Sequence, residues 1–428
     1  MLMDVKSTTI SNGIRVITSS LPTVQSVTFG IWVGVGARYE NQTLSGVSHF
    51  IEHLLFKGTK KRSAKDISME IEGYGGYLNA FTQEESTCYY ARVACDRLPA
   101  SLDVLTDMYV NPNFDQVEID KERGVIIEEI MMYRDQPQQV VQEMLSEALW
   151  KGHQLGRPVI GTPKTLAGMD RALIKKFKDS SYLPGNTVAA FAGNLNHEDC
   201  VEAVSRLLSK GKKARVPTCK PVTSSVAQSH VVLQKKAIEQ THLAMGIRIF
   251  GRHDKRRYAL RLLNVILGEN MSSRLFQVVR EKNGLAYSIH SGAHLFEDSG
   301  ALVISAGLDR KRTMKAVELI MSELRRLKEK PVSPKELRMA KEYILGQIRL
   351  GLESTTHQMM WIGDNLMSYG RFVPPEEVME QIEGVKAEDI RELSDFILRA
   401  PRSSLAMVSP DVGGAGDEER LRTITGRL

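Results

Sequence analysis

Residues 210–229, KGKKARVPTCKPVTSSVAQS, hold two prolines and a run of small and polar side chains. They follow neither the two-residue alternation of a strand nor the 3.6-residue repeat of a helix. Inside a chain of 428 residues, too long for one ordinary core, such a stretch marks a join. The order of elements then repeats across it. After the join come a strand (His242–Phe250), a helix (Arg257–Leu267), a glycine-marked strand (Leu285–His290), a further strand (Gly300–Gly307) and more helices. The same succession occupies the first half. The expected organisation is therefore 1–209, a linker at 210–229, and 230–428, an approximate internal duplication read from element order and not from identity.

Within the first half, Thr8–Thr18 reads as a hairpin, with Asn12-Gly13 supplying two positive-φ residues for a tight turn. Val27–Gly36 is a strand of β-branched and aromatic residues. Over Ser45–Phe56 the pattern switches to helical spacing, with Leu44, Val47, Ile51, Leu54 and Leu55 on the apolar side. A helix over Ala64–Gly73 leads into strands at Gly75–Thr82 and Ser86–Cys95, and Thr187–Ala192 is another short strand. Asn196 can cap a helix starting near His197, which makes that histidine a first-turn residue and not a ligand.

Composition excludes several classes. Hydrophobic residues at 42% and charged residues at 25% are those of a water-soluble globular protein. The apolar stretch Val27–Ala37 is broken by glycines and far shorter than the roughly 20 residues of a membrane helix, so no membrane association is expected. Met1–Gly13 lacks the basic-then-apolar order of a secretory signal, and a cytoplasmic location is expected. Cys88, Cys95, Cys200 and Cys219 are scattered, form no CxxC pair and read as reduced thiols. The net charge of +6 arises from 57 basic residues interspersed with 51 acidic ones, which is a solvated surface and not a nucleic-acid patch.

The chemistry lies on the Ser45–Phe56 helix. In His49-Phe50-Ile51-Glu52-His53 two imidazoles stand at i and i+4, on one helical face, where both can reach a single tetrahedral zinc ion. Glu52 borders the same face, placed to take a proton from an attacking water. A catalytic zinc needs a third protein ligand. The segment Glu122–Ile130 offers one, because Glu122 and Glu129 are two turns apart on one face of a predicted helix, with Val125 and Ile126 between them at core spacing and Glu128 rotated away. Glu129 is the expected ligand. Glu122 is then a supporting carboxylate that orients an imidazole or assists the water. The second half has no matching histidines: Leu262-Leu263-Asn264-Val265-Ile266 stands where the motif should recur, so one zinc per chain is expected.

An HxxEH motif with a distant glutamate resembles the inverzincins. Over essentially the whole chain, from the Asn12-Gly13 hairpin through Arg280 and Tyr287 to the last helices, the sequence is similar to the M16 peptidases, a family that includes mitochondrial processing peptidase β subunits and their shorter bacterial homologues. The resemblance implies an α+β fold of two similar domains, each a mostly antiparallel sheet packed with helices. It also implies zinc on His49, His53 and Glu129, Glu52 as base and Glu122 in support. Arg280 and Tyr287, in the run Arg280-Glu281-Lys282-Asn283-Gly284-Leu285-Ala286-Tyr287, would hold a substrate carbonyl and its oxyanion. On spacing alone they could equally be a surface cation and a core phenol. Asn79, Ala80 and Phe81 match the family's edge strand, which binds an extended peptide by adding it to the sheet.

The expected activity is zinc-dependent endopeptidase hydrolysis of short or unfolded polypeptides, in a homodimer. A non-catalytic partner or scaffold subunit is the alternative from the same family. Two further features carry nothing. His290 and His294 lie about 13 Å apart along a strand, too far to share an ion, and Gly413–Asp417 reads as a tail with no phosphate-loop frame around it.

Overall fold

A computed structural model of the chain describes residues 3–209, 214–223, 229–412 and 416–426. Of the expected linker, residues 210–213 and 224–228 lie outside the described residues, and 214–223 form neither helix nor strand. The described chain divides into two compact units. The first comprises Met1–Ile130, Arg157–Lys220 and Ile348–Glu376; the second comprises Met131–Gly156, Pro221–Gln347 and Glu377–Leu428.

The first unit is built on a six-stranded sheet of β1 (Asp4–Thr9), β2 (Arg15–Ser20), β3 (Ser26–Val33), β4 (Tyr77–Thr82), β5 (Thr87–Ala94) and β6 (Thr187–Gly193), in the order β1-β2-β6-β3-β5-β4. Every pairing is antiparallel except β2 with β6. The second unit holds β7 (Val231–Lys235), β8 (Thr241–Ile249), β9 (Ala286–Leu295), β10 (Gly300–Leu308) and β11 (Ser403–Ser409), in the order β7-β11-β8-β10-β9. Only β7 with β11 is parallel there. With β1 set aside, the two orders and all pairing senses superpose, β2 on β7 through to β4 on β9. This is the α+β duplication expected from element order. β7 and β11, absent from the sequence reading, complete the correspondence.

Each sheet is covered by a helix drawn from the other half of the sequence. The helix Thr355–Tyr369 lies on the first sheet, where Met359, Ile362 and Leu366 bury against Ile17, Trp32, Val188 and Ala190. The second sheet is covered by Pro137–Leu149, whose Val141, Leu145 and Leu149 pack on Ala244, Val303 and Ala406. Small residues permit this close approach. A Cβ on Gly363 would lie 2.3 Å from the Trp32 indole nitrogen, and one on Gly246 would lie 2.6 Å from Leu149 Cδ1. The exchange has no local signature, because an amphipathic helix shows that it has a face to bury but not against which sheet.

Local details depart from expectation where the backbone found another solution. The hairpin β1–β2 forms, but only Gly13 takes positive φ (103°) while Asn12 does not. The Gly13 N–H bonds Ile10 O, and the Ile10 N–H bonds Ile14 O. That is the wider loop in which one left-handed residue follows an ordinary turn. Asn12 contributes through its side chain, which donates to Leu208 O. His197 is a first-turn residue capped by Asn196, and its ring bridges Thr8 and Thr18. The chain after the expected tail folds into a helix, Asp417–Thr425, with Leu421 and Ile424 buried; of the tail itself, residues 413–415 lie outside the described residues. Among the described residues no helix is long and apolar enough to cross a membrane.

Candidate metal centre

Three elements bring the site together: α1 (Val47–Leu55), β4 and α2 (Gln116–Asp135), of which the stretch through Ile130 belongs to the first unit. In α1 the apolar face formed by Val47, Phe50, Ile51, Leu54 and Leu55 is fully buried, which fixes the helix in rotation and turns His49, Glu52 and His53 to the opposite side. In α2 the buried positions are Ile119, Glu122, Ile126 and Ile130. Val125, expected in the core, is 50% exposed. The inward stripe steps by three and four from 119, and 125 falls outside it.

His49, His53 and Glu129 each offer one ligand atom, and the three atoms lie within 4.8 Å of one another, the sole such cluster among the described residues. Glu129 Oε2 is 3.9 Å from His49 Nε2 and 3.7 Å from His53 Nε2. These separations are too long for hydrogen bonds. They are close to the roughly 3.4 Å that separates two ligands on a tetrahedral ion with bonds of about 2.0–2.1 Å. Burial, reinforced by the nearby His53, lowers the His49 imidazole to about 4, so it presents a neutral ring at neutral pH. His53 Nδ1 lies 3.1 Å from Glu122 Oε2; a carboxylate only accepts, so in the neutral ring Nδ1 carries the proton and Nε2 the lone pair. Two imidazole nitrogens and a carboxylate oxygen within 4.8 Å of one another form a donor set that suits a divalent cation.

Around this set stand two groups the sequence reading did not single out. Lys57, just past the C-terminal end of α1, reaches the other oxygen of Glu122 at 2.7 Å. Thr82, the last residue of β4, donates its hydroxyl to Glu52 Oε2. Burial raises the Glu52 carboxyl above its ordinary range, and the Thr82 hydrogen bond and the nearby His53 ring oppose that rise. Both had a faint sequence signal: Lys57 is four residues after His53, one turn on, and Thr82 is two after Ala80.

β4 is the terminal strand of its sheet, as expected for Asn79, Ala80 and Phe81. The Ala80 N–H is taken up by Asn79 Oδ1 at 2.8 Å. The ring of Phe81 packs edge-on against Trp32 with centroids 5.5 Å apart, so its side chain serves the core. Arg280 and Tyr287 belong to the second unit. Arg280 stacks on Phe276 and lies 3.9 Å from Glu281, while Tyr287, near the start of the edge strand β9, is 73% exposed. Tyr287 is thus not a core phenol. Between them Gly284 turns at φ 57°, the glycine turn expected there.

Comparison with known proteins gives the family of the chain. Residues 15–163 match the family model described as Insulinase (Peptidase family M16), and residues 168–344 match the Peptidase M16 inactive domain. The chain is 38% identical to a Streptomyces coelicolor protein named as an uncharacterized zinc protease, over 95% of this chain and 90% of that one. It is 37% identical to a Bacillus subtilis protein of the same description, over 95% and 98%. Among solved structures, a protease from Helicobacter pylori superposes with a TM-score of 0.90 at 22% identity, covering 96% of this chain and all of that one (100%). A chain of complex III2 from Candida albicans superposes with a TM-score of 0.84 at 19% identity, covering 98% and 99%. These structural likenesses speak to the fold. With relatives of such identity over nearly its full length, and a family model on each half, the chain belongs to the M16 peptidase family.

Proposed function

We propose that the chain is a zinc-dependent endopeptidase that hydrolyses peptide bonds in short or unfolded polypeptides bound in extended form. The observation that carries this reading is the convergence of His49, His53 and Glu129 beside a partly buried Glu52. His49, His53 and Glu129 would hold one zinc ion per chain. Bound there, zinc supplies a Lewis acid and lowers the pKa of water toward roughly 7.

The remaining steps are done by side chains. Glu52 is the general base, its burial bringing its proton affinity nearer to that needed at neutral pH. Thr82 holds the Glu52 carboxylate by one oxygen and leaves the other for the proton. Glu122, held by Lys57, keeps the proton of His53 on Nδ1 and so keeps Nε2 free as a ligand. The backbone of Asn79, Ala80 and Phe81, at the sheet edge and tied to Glu52 through Thr82, would receive an extended peptide as an added strand. Strand addition reads main chain and therefore tolerates many sequences, which fits an enzyme of internal bonds.

Arg280 and Tyr287 are proposed as substrate contacts on family resemblance alone. A cytoplasmic location is proposed on cysteines that form no disulfide among the described residues, and a homodimer on the same family resemblance.

The deciding experiment uses purified zinc-loaded chain and a denatured protein substrate, with and without a chelator. Glu52→Gln should lower turnover by about 10²–10⁴-fold while zinc stoichiometry is unchanged. Wild-type turnover in that variant would overturn the mechanism. A wild-type chain that binds zinc yet cleaves nothing would favour the non-catalytic partner role.

A further inference from the structure

The start of α1 poses a problem in hydrogen bonding. Its N-terminal N–H groups have no partners within the helix, and most helices meet such groups with a Ser, Thr, Asp or Asn at the cap. Here the cap is Gly46, in the left-handed region at φ 95°, with no side chain to offer. Nor could it be replaced: a Cβ on Gly46 would lie 2.6 Å from Ile160 O and 2.8 Å from the Cα of Gly161. Gly161, at φ 79°, is held as closely, since its Cβ would lie 2.4 Å from Ser45 O. Two glycines thus press the 158–161 loop against the helix end and exclude a local cap.

The missing acceptors come from Glu40. Its carboxylate takes the Gly46 N–H on Oε2 at 2.6 Å and the Ser48 N–H on Oε1 at 2.8 Å. The residue is 1% exposed. Among the described residues no side-chain salt bridge neutralises it; Arg157, whose Nη1 comes to 3.5 Å from the Glu40 carbonyl oxygen, favours its charged form. Burial outweighs these favourable contacts and pushes the carboxyl up to about 7. A buried acid that is poorly stabilised in its charged form adds little to the stability of the fold. What it does is fix the first turn of the helix whose next residue is His49.

We propose that Glu40 is a positioning residue for the metal centre: by accepting from two of the free N–H groups at the start of α1, those of Gly46 and Ser48, it sets the register and tilt at which His49, Glu52 and His53 are presented. This rests on the zinc peptidase reading above. The two donors demand two acceptors. Glutamine has one, and would set its NH₂ against an N–H, so Glu40→Gln releases one anchor while removing a buried charge. Aspartate keeps both oxygens but is one methylene too short to reach both.

The test is a zinc titration against a competing chelator, with kcat and KM for peptide hydrolysis and a thermal melt on the same samples. For Glu40→Gln the zinc dissociation constant should rise about tenfold and kcat fall by a similar factor, the scale seen when groups supporting a ligand are lost. KM should stay within twofold, and the melting temperature should not fall. A role in capping alone would lower the melting temperature and leave the zinc constant of the folded protein in place; that result overturns the proposal, as do zinc affinity and kcat within twofold of wild type. Should Glu40→Gln fail to fold, Glu40→Asp should fold and bind zinc several-fold more weakly, and equality with wild type overturns the proposal. A wild-type chain that binds no zinc would refute the functional reading instead, so the two failures are distinguishable.

Discussion

Glu122 offers the clearest test of how this centre is held. Its side chain is 6% exposed, one oxygen 3.1 Å from His53 Nδ1 and the other 2.7 Å from Lys57 Nζ. Glu122→Ala removes a hydrogen bond to a charged acceptor, worth roughly 1.5–3 kcal/mol, and frees the imidazole to rotate or to place its proton on Nε2. At about 1.4 kcal/mol per factor of ten, that range corresponds to about a 10- to 100-fold loss of zinc affinity, matching the usual effect of losing a group that orients a metal-bound histidine. Glu122→Gln retains an oxygen for His53 N–H and loses the pairing with Lys57. Lys57 is one-third exposed (33%), so this second loss is screened and the variant should fall by only about threefold. Competition titration with a chromophoric chelator at fixed pH reads all three constants. The reasoning fails if Glu122→Ala binds zinc within twofold of wild type.

Two other outcomes follow from packing and burial. Gly363→Ala places a methyl group 2.3 Å from the Trp32 indole nitrogen. Overpacking of about 1–3 kcal/mol should exceed the roughly 1 kcal/mol gained in helix propensity, so the urea midpoint should fall; a midpoint that rises would show that the helix is not seated as described. Glu40 also makes stability depend on pH. Its folded value of about 7 stands above the ordinary 4.5, so the folded chain holds this proton more tightly than the unfolded chain. Its contribution is complete below about pH 4.5 and is lost as pH rises through about 7. Relative to Glu40→Gln, the wild type should lose about 2–3 kcal/mol of unfolding free energy between pH 5 and 8, and parallel pH profiles would rule this out.

The parts of the molecule that were legible share a property: their information is local. The spacing of His49 and His53 needs only the helical repeat to put both rings on one face, and the β-branched and aromatic run Val27–Gly36 needs only the preference of such side chains for a strand. Glu129 was within reach because Glu122–Ile130 is a single helix whose period selects which acids share a side. Val125 shows the margin of that reasoning, since one residue of error in the stripe separates a core valine from one that is half exposed. The turn at Asn12-Gly13 was right in place and wrong in type, because loop length depends on where the strands pair and not on the dipeptide alone.

Other features had no local trace. Glu40 is an acid in a loop, and nothing nearby in sequence marks it as the cap of a helix that begins seven residues later. Its role exists only because Gly46 and Gly161 meet, residues 115 apart in the chain. Thr82 and Lys57 were in view but carried no meaning until β4 was set beside α1 and Glu122 beside His53.

The sequence by itself determined the duplication and the helices that carry the candidate ligands, since periodicity and spacing are properties of neighbouring residues. Only the tertiary structure decided which sheet each covering helix joins and which distant side chains hold the metal helix and its base. Those are contacts between segments far apart in the chain, and they are selected by shape and by unpaired donors that become visible only once the backbone is folded.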